Sequence, residues 1–395
     1  MRETIMNKIA VERAVGSPAN HEILDYLETE LEGMGFDVQS LPFKCTVWET
    51  EPSCLTIHHQ SFDIKASPFS EPFEGRGTVK TARTFDELQR LDCTNSILIL
   101  AGDLTSEPLQ PKNYPFYFPD EHRKLIELVE QKQPLAVIAV TGKHSLCGLE
   151  PFPLFEDGNF LIPSGYMSEA MLAKIESDAI GSLSIRSKKT RTDSRQLVAT
   201  KKAKKSAGKI VICAHMDSKY QTLGALDNAV GVVTLLEVAN NIQAEAYDIE
   251  VVPFNSEEYY EASGEVAYLQ YVEDQQDDIV LVVNMDSPCH KGSEIAVSLY
   301  NVSPCVKSMA DRLLSERNGV VYGPEWFAGD HAPFTFQGIP CLAITSSDLF
   351  NGALAYTHTM KDTISTVDLD LVGDAANYIN DFVSALSHKE KERRN

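Results

Sequence analysis

KIVICAHMDSKYQTLGALDN (residues 209–228) starts as an apolar run and ends in a concentration of metal-binding residue types. Its first six residues read as a buried strand. His215, Asp217, Asp227 and Asn228 follow almost at once. A strand that serves only the core has no need of such a cluster. A sheet edge that handles a ligand does.

Three further apolar runs share the pattern: IEVVPF (249–254), DIVLVVN (278–284) and IPCLAIT (339–345). Between them lie helical periodicities, GVVTLLEVANNI (231–242), GEVAYLQYV (264–272) and SPCVKSMADRLLSE (303–316). A last helix is expected from about Leu369 to Leu386, with Val372, Ala376, Ile379 and Val383 on one face. Near the N-terminus Ser17 suits a helix cap and Pro18 the first helical turn, and Ile23, Leu27 and Leu31 recur every four residues until Gly35. Continuous apolar strands alternating with helices predict an α/β fold, a mostly parallel-stranded sheet sandwiched by helices.

Residues 45 to about 190 break this rhythm. They carry β-type runs (CLTIHH, SILILAG, LAVIAVTG), one helical stretch (122–131) and a proline-rich interval (PKNYPFYFP, 111–119). The shift predicts a catalytic domain made of 1–48 and 190–395, with an inserted β-rich domain at 49–189.

Composition narrows the partners. With 43% apolar and 23% charged residues the chain is ordinary for a globular protein, and its net charge is −22. That balance argues against nucleic acid and against an anionic membrane. One stretch runs the other way: between Arg186 and Lys205 stand nine Lys or Arg and one acid, Asp193. It is read as a solvated turn or hairpin. No signal-like or membrane-spanning apolar run is visible, and the eight cysteines are scattered without a CxxC pair. Reduced thiols in a cytoplasm are the expectation.

In an open parallel sheet, ligands bind outside the carboxyl ends of the strands. His215 and Asp217 follow the first apolar run, Glu257 and Glu258 the second, and Asp286 the third. Tyr356 and His358 follow the fourth across a short loop, and Asp227 precedes the helix at 231. Each has a plain structural alternative. Asp227-Asn228 could cap a helix, a Glu-Glu pair is often a solvated charge run, and Asp286 could sit in an Asx-turn. Their coincidence on one edge outweighs those alternatives. Two imidazoles with several carboxylates, and no clustered thiolates, suit zinc, manganese or cobalt in a catalytic site. The ligands outnumber what one catalytic zinc uses, so a carboxylate shared between two ions is expected, with another kept off the metals as a base.

These residues resemble the co-catalytic zinc aminopeptidases of peptidase family 28, which also includes glutamate carboxypeptidases. The resemblance rests on HMDS (215–218), GALDN (224–228), NSEE (255–258), NMDS (284–287), GDHAPF (329–334) and HTMKDT (358–363), all in the family's order. It implies the zinc-dependent exopeptidase fold and two divalent ions, zinc or else cobalt or manganese. His215 and Asp286 would hold one ion, Glu258 and His358 the other, and Asp227 would bridge them. Glu257 would be the general base. Asp217 would accept the His215 imidazole N–H, and the Asp227–Asn228 peptide would be cis. The inserted domain is similar to a protease-associated domain. GDH stands where the family has SDH. Asp330 and His331 are assigned either to the substrate side or to loop support, and Tyr356 to substrate contact or packing.

The resulting expectation is an aminopeptidase acting on peptides, with the oligomer open and a homodimer one option. A glutaminyl-cyclase-like single-zinc transferase, a carboxypeptidase and a non-catalytic scaffold are the alternatives.

Overall fold

The computed structural model describes residues 2–394, with side chains for all of these except 275–277. The chain divides into two compact units, one of residues 1–45 with 193–395 and one of residues 46–192.

The first unit is built on an eight-stranded sheet. Its strand order is Asp37–Thr50, Ser187–Lys201, Asp248–Phe254, Lys209–His215, Ile279–Met285, Cys341–Ser346, Ile295–Tyr300 and Val320–Tyr322. The four strands read as apolar runs all form. Lys209–His215 pairs in parallel with both Asp248–Phe254 and Ile279–Met285, and the latter pairs in parallel with Cys341–Ser346. The chain therefore leaves its central strand first to one side and then to the other. That reversal opens a crevice at the carboxyl end of Lys209–His215, the place where such sheets bind ligands.

Helices Val230–Asn241, Ser263–Tyr271, Pro304–Ser315 and Leu371–Arg394 occupy the expected segments. The last runs past Leu386 because its tail is rich in helix-forming Lys, Glu and Arg, with Arg394 2.9 Å from Glu390 one turn back. At the N-terminus, Ser17 caps Pro18–Gly33 by accepting the Asn20 amide. Its apolar stripe, Ile23, Leu24, Leu27 and Leu31, belongs to the same buried core as the central strands and as Ile379 and Val383.

Two parts of the sheet differ from the sequence reading. Ile295–Tyr300 adds an antiparallel strand beside Cys341–Ser346, with Val320–Tyr322 parallel to it at the edge. The basic run is not a turn: most of it lies in the fifteen-residue strand Ser187–Lys201, which pairs antiparallel with Asp248–Phe254. Its cations meet carboxylates. Lys188 lies 3.7 Å from Glu49, Arg195 lies 2.6 Å from Asp25 and 2.9 Å from Glu28, and Lys202 lies 2.9 Å from Asp248. Exposed pairs of this kind add little stability. They do offset part of the charge of this stretch.

The second unit is a closed seven-stranded barrel, ordered Ser53–Ile57, Gln60–Ala66, Ser164–Ser168, Ala136–Thr141, Ser96–Leu100, Phe73–Ala82, Ile180–Ile185. Closure removes the unpaired edges that invite aggregation. Helix Asp120–Lys132 buries Leu125, Ile126 and Val129 in a core shared with Leu98, Leu100 and Val137. Among the described residues no helix is long and apolar enough to cross a membrane.

Candidate metal centre

Each of the four parallel strands delivers its side chains to the same edge. His215 is the last residue of its strand, and its buried imidazole points Nε2 at Asp227 Oδ1, 3.1 Å away, with Asp286 Oδ1 at 3.7 Å. Across the cluster His358 Nε2 lies 3.2 Å from Asp227 Oδ2 and 3.1 Å from Glu258 Oε2. Asp227 thus offers one oxygen to each imidazole. Two groups with metal-ligand spacing result, His215–Asp227–Asp286 and Asp227–Glu258–His358, with all ligand atoms of a group within 4.8 Å of one another.

The second group of residues holds these ligands in place. Gly224, at φ 52, turns the chain into the 225–229 segment, and a Cβ there would stand 2.5 Å from the Asp227 carbonyl oxygen. The Asp227–Asn228 peptide is cis. Asn228 turns its side chain to the next strand end, donating to the Met285 carbonyl at 2.8 Å and accepting the Ser287 amide at 3.3 Å, so it brackets Asp286. Asp362 accepts the amides of Leu226 at 2.6 Å and Asp227 at 3.0 Å. Arg13, fully buried, donates to the carbonyls of Met216, Leu223 and Gly224 at 2.5, 2.6 and 3.0 Å. It pins both ends of the 216–224 loop. Asn255 is locked by Asn20, Ser194 and Gln196 just ahead of the glutamate pair.

Asp217 does something other than expected. Its Oδ1 is 3.9 Å from His215 Nδ1, too far for a hydrogen bond, and Nδ1 has no partner. The carboxylate accepts the amides of Glu257 at 3.2 Å and Glu258 at 3.1 Å instead. It therefore positions the glutamate pair rather than the imidazole.

Of the two roles open to the GDH residues, the contacts of His331 fit loop support. His331 is fully buried, with Nε2 donating to the Trp326 carbonyl at 2.9 Å and Nδ1 3.2 Å from the Asn284 amide nitrogen. It supports the loop, and burial lowers its pKa to about 4. Asp330 is buried too, with neither carboxylate oxygen hydrogen-bonded. Tyr356 packs its ring on His290, centroids 5.4 Å apart, while His290 Nδ1 lies 2.8 Å from Asp348.

Charge is crowded here. Burial, with the charges of Glu258, Asp330 and Asp286 behind it, pushes Glu257 well above the usual carboxyl range. Burial raises Asp330 as well, helped by Glu265. Burial alone would lower His215, yet the surrounding carboxylates, Glu257 first, carry it well above its ordinary value. Asp227 moves the opposite way: burial opposes it, but the hydrogen bonds from His215 and His358 hold its carboxylate below the usual range. Packing this many carboxylates together out of water is costly unless cations share the site. Two imidazoles, three carboxylates and the unpartnered Glu258 Oε1 are the donor set such cations need.

The likeness to known proteins agrees with this geometry. Residues 196–383 match the model of peptidase family M28. This is the segment on which the chain is an M28 peptidase by likeness. Its match spans the strand ends carrying His215, Asp227, Glu257, Glu258, Asp286 and His358. No curated protein matches the chain. Solved structures do, over nearly its whole length. An aminopeptidase from Aneurinibacillus sp. strain AM-1 is 18% identical at TM-score 0.74, covering 97% of this chain and 93% of that one. The zinc aminopeptidase BSAP from Bacillus subtilis is 19% identical at TM-score 0.73, covering 98% and 94%. A peptidase M28 precursor from Shewanella amazonensis SB2B is 20% identical at TM-score 0.70, covering 98% and 92%. At such identities the likeness is one of fold. With its M28 segment and its two metal-ligand groups, the chain is a metal-dependent peptidase.

Proposed function

We propose that this M28 peptidase is an aminopeptidase that removes N-terminal residues from peptides with the help of two divalent ions, zinc foremost. The observation that carries the reading is Asp227, whose two oxygens face two imidazoles 3.1 and 3.2 Å away. A carboxylate so placed serves two ions better than one. The zinc aminopeptidase described from Bacillus subtilis lends support through its shared fold.

His215, Asp227 and Asp286 would hold one ion, and Asp227, Glu258 and His358 the other. Bound there, the ions would polarise the scissile carbonyl and acidify a water. Glu257 would take a proton from the attacking water and return it to the leaving amine. Its raised pKa suits a group that must both accept and release a proton. Asp217 aims it by gripping its backbone amide. The carboxylate-rich surroundings would attract a substrate's α-ammonium group. Peptides are the proposed partners, in a reducing cytoplasm, and the barrel is assigned as a protease-associated-like module.

A panel of free and N-blocked peptides, run after chelation and again with zinc, cobalt or manganese, tests the reading. Release of N-terminal residues from free peptides alone is expected. Cleavage of N-blocked peptides from the other end would make the protein a carboxypeptidase. Cyclisation of N-terminal glutamine with one bound ion would make it a transferase.

A further inference from the structure

A lysine stands against the carboxylates of the centre. Lys219 follows the HMDS segment, and its Nζ donates to the Glu258 carbonyl at 2.7 Å while lying 3.6 Å from Glu258 Oε2. Its side chain is 19% exposed, so solvent and solutes reach it. The backbone beside it is fixed. Thr222 donates to the Lys219 carbonyl through its amide at 3.2 Å and its hydroxyl at 2.9 Å, and Tyr259 donates to the Ser218 carbonyl at 2.9 Å.

An ammonium in this position is a liability for a site that recognises only a substrate's α-ammonium. For a site that also recognises the other end of a short peptide, it is an asset. The distances put it about one residue's span from the ligand cluster. Nζ is 3.6 Å from Glu258 Oε2, which is itself 3.1 Å from His358 Nε2. One extended residue spans about 3.3–3.6 Å. With its scissile carbonyl at the ligand cluster, a dipeptide would bring its terminal carboxylate within reach of Lys219, and a longer peptide would bring an uncharged amide instead.

We infer that Lys219 pairs with the free C-terminal carboxylate of the substrate and selects dipeptides. The inference rests on the exopeptidase reading and adds a substrate class to it. An ammonium–carboxylate hydrogen bond in a part-buried site is worth roughly a factor of ten in affinity.

The test compares leucyl-glycine with leucyl-glycinamide. Calorimetry on the zinc-loaded Glu257→Gln protein should show the free acid binding about tenfold tighter than the amide. The gap should narrow with added salt. Adding Lys219→Met should bring the two ligands to equal affinity, and Lys219→Arg should keep a preference for the acid. In the active protein the kcat/KM ratio of the two substrates should move in parallel. Equal binding of acid and amide by the Lys219 protein overturns the inference without need of a variant, as does a preference that survives Lys219→Met. Equal cleavage of both substrates would leave the exopeptidase reading standing and remove only the role of Lys219. Cleavage of neither would overturn both.

Discussion

Asp362 grips Asp227 from behind, taking its backbone amide at 3.0 Å on one oxygen while the other takes the amide of Leu226 at 2.6 Å. The proposed shared ligand therefore depends on a carboxylate that touches neither imidazole. Asp362→Asn keeps the size but turns one acceptor into a donor facing an N–H. A loss of about 10–100-fold in metal affinity is expected, the usual effect of removing a group that orients a ligand. Zinc titration against a competing chelator measures it, and unchanged affinity would remove Asp362 from the centre.

Glu257→Gln should retain both ions and lose about 10²–10⁴-fold in kcat, the range a general base supplies. Asp217→Asn should also lower kcat, because Asp217 accepts the amides of Glu257 and Glu258. If Asp217 acts by aiming Glu257, the two losses will not add in the double variant. Additive losses would separate the two residues.

The metal-free protein should lose stability as pH rises from about 4.5 to 8. Burial lifts Asp362 to about 6, and lifts Glu257, Glu265 and Asp330 well above their ordinary values. Each keeps a proton in the folded chain that the unfolded chain releases near pH 4, so stability falls as pH climbs through the folded value. His215, also raised, adds a loss of the same sign above about pH 6.5. Asp227 and Glu258 are lowered and contribute slope only at more acid pH. His331, lowered to about 4, works the other way up to about pH 6.5 and is outnumbered. Thermal melts after chelation should show the decline, and zinc should stabilise most at the alkaline end. A melting temperature that rises with pH would contradict this balance.

Gly231 gives a steric test. A Cβ there would stand 2.0 Å from Asn228 Oδ1, the atom that accepts the Ser287 amide. Gly231→Ala improves helix propensity by roughly 0.5–1 kcal/mol, so a surface-like site would gain stability. Here the clash should reverse the sign and also weaken metal binding through Asp286. Melting and zinc titration read the two effects separately.

His215, Glu258 and Asp286 are legible as proposed ligands because each closely follows a run that reads as a buried strand, and a one-dimensional rule says where such strands bind, whereas Asp227 is placed by the helix it precedes. The parts that were not legible are contacts between distant segments. Arg13 looks like any arginine until residues 216–224 fold around it. Asp362 lay in a quoted motif, yet its target is 135 residues upstream. Asp217 was assigned to its sequence neighbour His215 and instead holds the backbone 40 and 41 residues away. The strand Ser187–Lys201 mixes exposed and half-buried positions over its first half and is buried only from Ser194 on, so its charge hid the strand.

The division of the chain also has a consequence for its birth on the ribosome. The helix Pro18–Gly33 buries Ile23, Leu24, Leu27 and Leu31 in a core that, apart from Met6, Ile9, Ala10 and Phe36, draws its buried members from Leu197 onward. Those four side chains precede residues 46–192 and must wait until these have been made before most of their partners exist. The barrel's strands all lie between Ser53 and Ile185, so it can close meanwhile. Its closure holds the two ends of the interrupted unit on a folded spacer instead of a long free loop, cutting the entropy of bringing them together. Variants that slow barrel closure should therefore show up as aggregation of the nascent Pro18–Gly33 helix, far from any residue they change.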